Sequence, residues 1–199
     1  MHAIVENDEV KQIITNPKSL IINDVRYPAK IFQLWSKSEK EAIGIYEIVV
    51  DKTNYKDTEY YINTNSTYTF ADGQVTESWG TATSKELEDR NATDENGVEL
   101  DPVVVIEGLK SQKKNIVKQQ ASGLLAPTDW HVIKATEVAD YNVPENITTF
   151  RADVRAKSNE METQIDACTN VDELKALYEY TTQEDGTITR PLAEFPEEV

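Results

Sequence analysis

The chain has 199 residues, enough for one large domain or two small ones with a buried core. Hydrophobic residues make up only 39 %, which favours an extended or oligomeric protein, and the net charge of −16 argues against nucleic acid or anionic lipid as a partner. No apolar run approaches the ~20 residues of a membrane span, and the single cysteine, Cys168, excludes an intramolecular disulfide and a cysteine-rich metal site.

The first residues, Met1-His2-Ala3-Ile4-Val5-Glu6, carry neither a basic region nor an apolar core, so no signal peptide is expected and a reducing cytoplasm fits best. Ile13 and Ile14, then Leu20, Ile21 and Ile22, predict two strands broken by the Asn16-Pro17 turn, the second ending at Asn23-Asp24. Arg26-Tyr27-Pro28 keeps the chain extended. Ser36 with Glu39, and Ser38 with Glu41, are overlapping capping boxes that start a short helix, which Gly44 can end. A strand resumes at Ile45–Val50, and Phe32, Trp35 and Ile43 suit a small core.

Thr67-Tyr68-Thr69-Phe70 and Gln74-Val75-Thr76 flank Ala71-Asp72-Gly73, the pattern of a hairpin turning on Asp-Gly. Residues 84–90 suit a short helix or a charged loop, and residues 91–99 an exposed linker. Val103-Val104-Val105-Ile106, after Asp101-Pro102, predicts a short buried strand or an extended connector.

Beyond this point the period changes. Residues 109–122 form an amphipathic helix with Leu109, Ile116 and Val117 on one face and Lys110, Lys113, Lys114 and Lys118 elsewhere. Those lysines either offset neighbouring carboxylates or offer a docking face to an acidic partner. Pro127 should end this helix and push Ala126 towards an extended conformation, with Thr128 and Asp129 capping a turn that buries Trp130. After a short turn-rich segment that follows Trp130, Pro144 opens the longest helix, on which Ile147, Phe150, Val154, Met161, Ile165 and Cys168 make one apolar stripe interrupted by Lys157. Arg151 and Arg155 lie one turn apart beside it, placed to pair with carboxylates such as Asp129 or Glu137. Val171, Leu174, Leu177 and Tyr178 form a shorter helix packed back on the first, and residues 181–199 read as an extended acidic tail. The second helix covers only about half of the stripe, which leaves an apolar strip for a partner.

Catalytic signatures are missing from the sequence. It holds no glycine-rich phosphate loop, no zinc-type His/Cys spacing and no serine elbow. His2 and His131 are the two histidines, and neither has an obvious second member for acid–base work. The acidic pairs all sit in surface-like runs. No enzyme activity, catalytic residue, metal or cofactor is expected.

Two blocks of residues carry a resemblance. Thr128-Asp129-Trp130, then a Pro144-initiated helix with Phe150-Arg151-Ala152-Asp153-Val154-Arg155, resembles the C-terminal segment of tailed-bacteriophage tail proteins of the fibre-associated and tail-assembly-chaperone type. Such proteins more often have Tyr before the first Arg and Leu before the second. Tyr27-Pro28, Ile31-Phe32, Trp35-Ser36, Glu39 and Ala42-Ile43-Gly44-Ile45 resemble an N-terminal pattern of small phage tail proteins.

The resemblance implies a non-enzymatic structural component of a bacteriophage tail, at the baseplate, fibre or tail tip, made in the bacterial host cytoplasm and placed in the virion. The alternative it implies is a fibre assembly chaperone that is not retained. Expected partners are other tail proteins and further copies of the chain, with a trimer as the first guess and no membrane insertion. Trp130, Ile147, Phe150, Arg151, Val154, Arg155, Met161 and Ile165 are the expected partner-binding residues. The expected fold is α+β, with a small mixed β module carrying a short helix over residues 1–107. A helix-hairpin module with its acidic tail then follows over residues 108–199.

Overall fold

The computed structural model describes residues 1–197 and is α+β, with a curled N-terminal sheet and a helical C-terminal region. Glu198 and Val199, the end of the expected tail, lie outside the described residues. Two compact units divide the chain, Met1–Thr83 and Ser84–Val199.

The first unit is built on a five-stranded sheet of order β2-β1-β5-β8-β7, from β1 (His2–Glu6), β2 (Glu9–Ile14), β5 (Ile45–Val50), β7 (Ser66–Ala71) and β8 (Gln74–Trp79). Only β5 and β8 pair in parallel. The far edges, β2 and β7, come close together, so the sheet curls towards closure. β1 lies inside the sheet, between β2 and β5, and its alternating residues enter two cores. Ile4 joins Ile14 and Ile45 on one side, whereas Ala3 and Val5 join Val75 on the other. The first core is covered by the hairpin β3 (Leu20–Ile22) and β4 (Val25–Tyr27) and by the short helix α1 (Ile31–Leu34).

The expected Asp72-Gly73 hairpin is present, with both residues at positive φ. Two further hairpins turn on Asn7-Asp8 and Asn23-Asp24, where all four residues also have positive φ. The two strands expected either side of Asn16-Pro17 are present as β2 and β3, and they pair with different neighbours, β2 with β1 and β3 with β4. Helix α2 (Lys37–Glu41) starts on the Ser36/Glu39 capping box. It ends ahead of Gly44, which at φ +82° approaches the Val5 carbonyl so closely that a Cβ would lie 2.7 Å from it. A two-residue ladder joins β6 (Tyr61–Ile62) and β9 (Thr83–Ser84) at the end of the unit.

In the second unit α3 (Leu109–Leu125) packs antiparallel on α5 (Glu145–Ala167). Each apolar residue buried on such a face contributes about 1.5–3 kcal/mol. Lys114–Asp166 at 2.7 Å and Lys118–Glu162 at 3.4 Å bracket the pair, but exposed ion pairs like these contribute only about 0–1 kcal/mol each. The apolar face therefore sets the packing and the charges set its register. On α3 that face is Leu109, Lys113, Val117 and Ala121, a four-residue repeat, so the Ile116 expected in it is left 44 % exposed.

The lysines of α3 are engaged within the chain. Lys110 bonds Glu88 at 2.5 Å, and the ammonium of buried Lys113 lies 4.3 Å from the centroid of the Tyr178 ring. Of the two readings of these lysines, the structure carries the offset of neighbouring carboxylates, with Lys110, Lys114 and Lys118 on Glu88, Asp166 and Glu162.

Residues 84–107, expected to belong with the N-terminal module, cluster with this unit. The physical reason is helix capping over a long span. The amides of Leu109 and Lys110 donate to the carbonyls of Glu86 and Leu87, and Asp89 accepts from the Gly108 amide at 2.8 Å and the Ser111 hydroxyl at 2.9 Å. Residues 84–90 form no helix beyond that. β10 (Arg90–Asn91) pairs with β11 (Val105–Ile106), and the run 103–106, expected as buried or connecting, is exposed at every position.

The tail is likewise not extended. A small hairpin of β12 (Thr181–Thr182) and β13 (Ile188–Thr189) leads to Leu192, which is buried, and to Phe195, which packs on Ala121, Phe150 and Val154. Helix α6 (Val171–Ala176), capped by Asn170, buries Val171 and Leu174.

Candidate interaction surface

The Thr128-Asp129-Trp130 segment and the Arg151 turn of α5 meet at one junction. Helix α3 does not stop at Pro127. Ala126 keeps helical angles (φ −54°, ψ −44°), and a 3-10 turn over Ala126–Thr128 leads directly into α4 (Asp129–Glu137). The missing proline amide costs one helical hydrogen bond, and the tighter turn absorbs it without an extended residue. Residues 131–137 are therefore helical where a turn was expected.

Arg151 holds this elbow. Its Nη1 donates to the Leu125 carbonyl at 3.0 Å and to the Thr128 hydroxyl at 2.6 Å, while Nη2 reaches Asp129 Oδ1 at 2.8 Å. The Thr128 hydroxyl in turn donates a hydrogen bond to the Leu125 carbonyl at 2.8 Å. Thr128 thus does not cap an amide as expected; it relays between a helix end and a guanidinium. The planar fork of Arg suits three acceptors in one place. Asp129 lies in the first turn of α4, where a carboxylate also meets the positive end of the helix dipole. The expected Arg151–Asp129 pair is therefore present. Among the described residues Arg155 pairs with no carboxylate; it is exposed, and its Nη1 donates to the Arg151 carbonyl at 3.1 Å.

Trp130 was expected to be mostly buried and is 52 % exposed. Its ring stacks on His131 with centroids 3.7 Å apart, His131 Nδ1 bonds the Tyr141 hydroxyl, and the Lys134 ammonium lies 5.7 Å from the Trp130 ring and 4.3 Å from that of Tyr141. No residue of α4 is buried. Val132 and Ile133 stand out alongside Trp130, at 41 % and 56 % exposed, and Val138 follows just beyond the helix at 44 %. These apolar residues were missed because residues 131–142 read as turns; Lys134, Ala135 and Glu137 were the helix-favouring signal.

The stripe of α5 behaves in the opposite way. Ile147, Phe150, Val154, Met161 and Ile165 are all buried within the chain, with α3 and the returning tail packed on this helix. An uncovered strip at the centre of a threefold contact is thereby corrected: the residues expected to bind a partner there form the core.

Little here is arranged for chemistry. Cys168 lines a cavity of about 400 Å³ beside Ala167, Ala176 and Leu177, but its thiol donates to the Gln164 carbonyl at 3.4 Å, and burial, then the nearby Glu173 carboxylate, pushes its pKa up. A thiol held protonated is a poor nucleophile. Burial, then the Lys40 ammonium, lowers the pKa of His2, which sits in the first unit against the Phe32 ring. Among the described residues no group of three or more His, Cys, Asp or Glu is placed to hold a metal ion, and no helix is long and apolar enough to cross a membrane. Compared with protein-family models, with curated proteins and with solved structures, the chain matches none.

Proposed function

We propose that this chain is a non-enzymatic structural component of a bacteriophage tail, at the baseplate, fibre or tail tip, and acts through protein–protein contacts. One observation carries the reading. The two halves of the tail-like sequence pattern, more than 20 residues apart, form a single device in which Arg151 grips Leu125, Thr128 and Asp129. That device sets α4 at a fixed angle while spending none of its apolar side chains on the core. An element fixed at its base, with Trp130, Val132 and Ile133 free, is suited to receiving another protein, since exposed aromatic anchors dominate such contacts. Self-association, including the trimer implied by the resemblance, would use α4 and not the buried stripe of α5.

Mass spectrometry of purified virions and of the infected-cell lysate tests this. Stoichiometric presence with other tail proteins supports the structural role. Presence in the lysate but not in virions supports the assembly chaperone instead, and absence from both refutes the tail reading. Trp130→Ala with Ile133→Ala should impair assembly while leaving the helical signal of the isolated chain intact.

A further inference from the structure

A second surface lies at the other end of α3, in residues 98–106. Residues 90–93 run between two flanking segments. On one side Arg90 and Asn91 pair with Ile106 and Val105, and the Ala92 amide donates to the Val104 carbonyl at 2.7 Å. On the other, Thr93 bridges to Glu99, and the Leu100 amide donates to the Ala92 carbonyl at 3.1 Å. The 103–106 segment is thus an outer strand. In an antiparallel ladder alternate residues bond inward, so with Val104 and Ile106 facing residues 92 and 90, Val103 and Val105 turn their N–H and C=O groups outward.

Its side chains are as unusual as its backbone. Val98, Leu100, Val103, Val104, Val105 and Ile106 are all 38–62 % exposed. An apolar, β-branched outer strand is a template for another strand, and proteins normally blunt such an edge with Lys or Pro. Here the flanks carry only negative charge. Residues 91–109 contain Asp94, Glu95, Glu99, Asp101 and Glu107 and no Lys or Arg. Among the described residues none of these five carboxylates is ion-paired.

We infer that the outer edge of residues 103–106 is a docking site for an extended segment of a partner that alternates apolar and basic residues and adds as a further strand. Main-chain hydrogen bonds from Val103 and Val105 supply the attachment, and the acidic flanks select Lys or Arg over other sequences. A second copy of this chain is the wrong occupant. Antiparallel self-pairing centred on Val104, with Val103 of one copy opposite Val105 of the other, would set Asp101 of each copy against Glu107 of the other, and like charges so placed repel. The site goes beyond the tail reading and holds whether or not that reading does.

The test uses the full chain and a synthetic Lys-Val-Lys-Val-Lys-Val-Lys peptide. Comparison peptides have Glu in place of Lys, or the Lys sequence N-methylated on alternate residues, which keeps charge and side chains but removes donors. Expected is binding of the Lys peptide with slowed hydrogen exchange at the Val103 and Val105 amides, weakened by salt. Affinity should fall at least about tenfold for either comparison peptide. It should fall similarly for Asp101→Asn with Glu107→Gln, which removes both charges but keeps an oxygen to accept from Asn115 Nδ2, so the helical signal should be unchanged. Equal binding of the N-methylated peptide would reduce the effect to charge attraction and overturn the proposal. So would equal binding of the Glu peptide, no binding of the Lys peptide, or concentration-dependent protection of the two amides in the free chain, which would make a second copy the occupant.

Discussion

Replacing Arg151 by Met keeps the aliphatic stem in its buried position and removes all three hydrogen bonds of the guanidinium. The three losses are not equal. The Leu125 carbonyl still receives the Thr128 hydroxyl, so it is not orphaned. Asp129 has a side chain 56 % exposed, and water replaces its partner at about 0–1 kcal/mol. The bond to the buried Thr128 hydroxyl is charge-assisted, and its loss costs about 1.5–3 kcal/mol. Together these give a destabilisation of about 1.5–4 kcal/mol for the second unit.

Urea denaturation followed by far-ultraviolet circular dichroism reads the helices. Fluorescence of Trp130 reads the elbow, once Trp35 and Trp79 of the first unit are replaced by Phe. Arg151→Lys should recover part of the loss, because a point charge can reach Asp129 but cannot fork to Leu125 and Thr128. Asp129→Asn should cost no more than about 1 kcal/mol. The reasoning fails if Arg151→Met costs less than about 0.5 kcal/mol, or if Asp129→Asn costs as much as Arg151→Met.

Gly108→Ala should destabilise the second unit by about 1–3 kcal/mol, measured by thermal melting. The added Cβ would lie 2.4 Å from the Glu88 backbone, which is pinned by its neighbours' bonds to α3, and a melting temperature unchanged from wild type would contradict that close approach. Val154→Asp, at a position with no exposure, should leave the helical unit unfolded or aggregated, whereas Trp130→Ala should change its stability by less than about 1 kcal/mol. A soluble, folded Val154→Asp chain in sedimentation and circular dichroism would show that the stripe is not core. Asp89 has its pKa lowered by the Gly108 amide and then by the Ser111 hydroxyl. Its contribution is therefore present above the unfolded-state value of about 3.9 and lost as pH falls through the lower folded value. The stability gap between wild type and Asp89→Ala, measured by urea titration at a series of pH values, should close below about pH 4. A gap that stays constant with pH would remove the charge from the argument.

Local signals in the sequence carried as far as local physics reaches. Asp72-Gly73 between alternating residues, the Ser36/Glu39 capping box and the three- and four-residue recurrence from Ile147 to Ile165 each describe one element, and each is formed as its pattern requires. The recurrence shows that a face must leave water. It does not say what covers it, because Ala121 and Phe195 come from segments with no shared period. An apolar stripe covered by its own chain and one covered by a partner read the same way.

Tertiary structure also reversed the expectation for single side chains. Lys113 is buried because its position, not its polarity, lies on the face that α3 turns inward, and the Tyr178 ring gives its ammonium a partner. Val103 to Ile106 are as apolar as any strand in the chain, yet they stay exposed, because residues 90–93 cover only one edge and no layer covers the side chains. Asp89 and Gly108, 19 positions apart, meet only once the chain has folded back to start α3. Where the period is regular, as from Ile147 to Ile165 and either side of Asp72-Gly73, it determined the element and which of its faces is apolar. Burial depends on long-range closure, so only the folded chain decided that α5 is core while α4 and the 103–106 edge remain open.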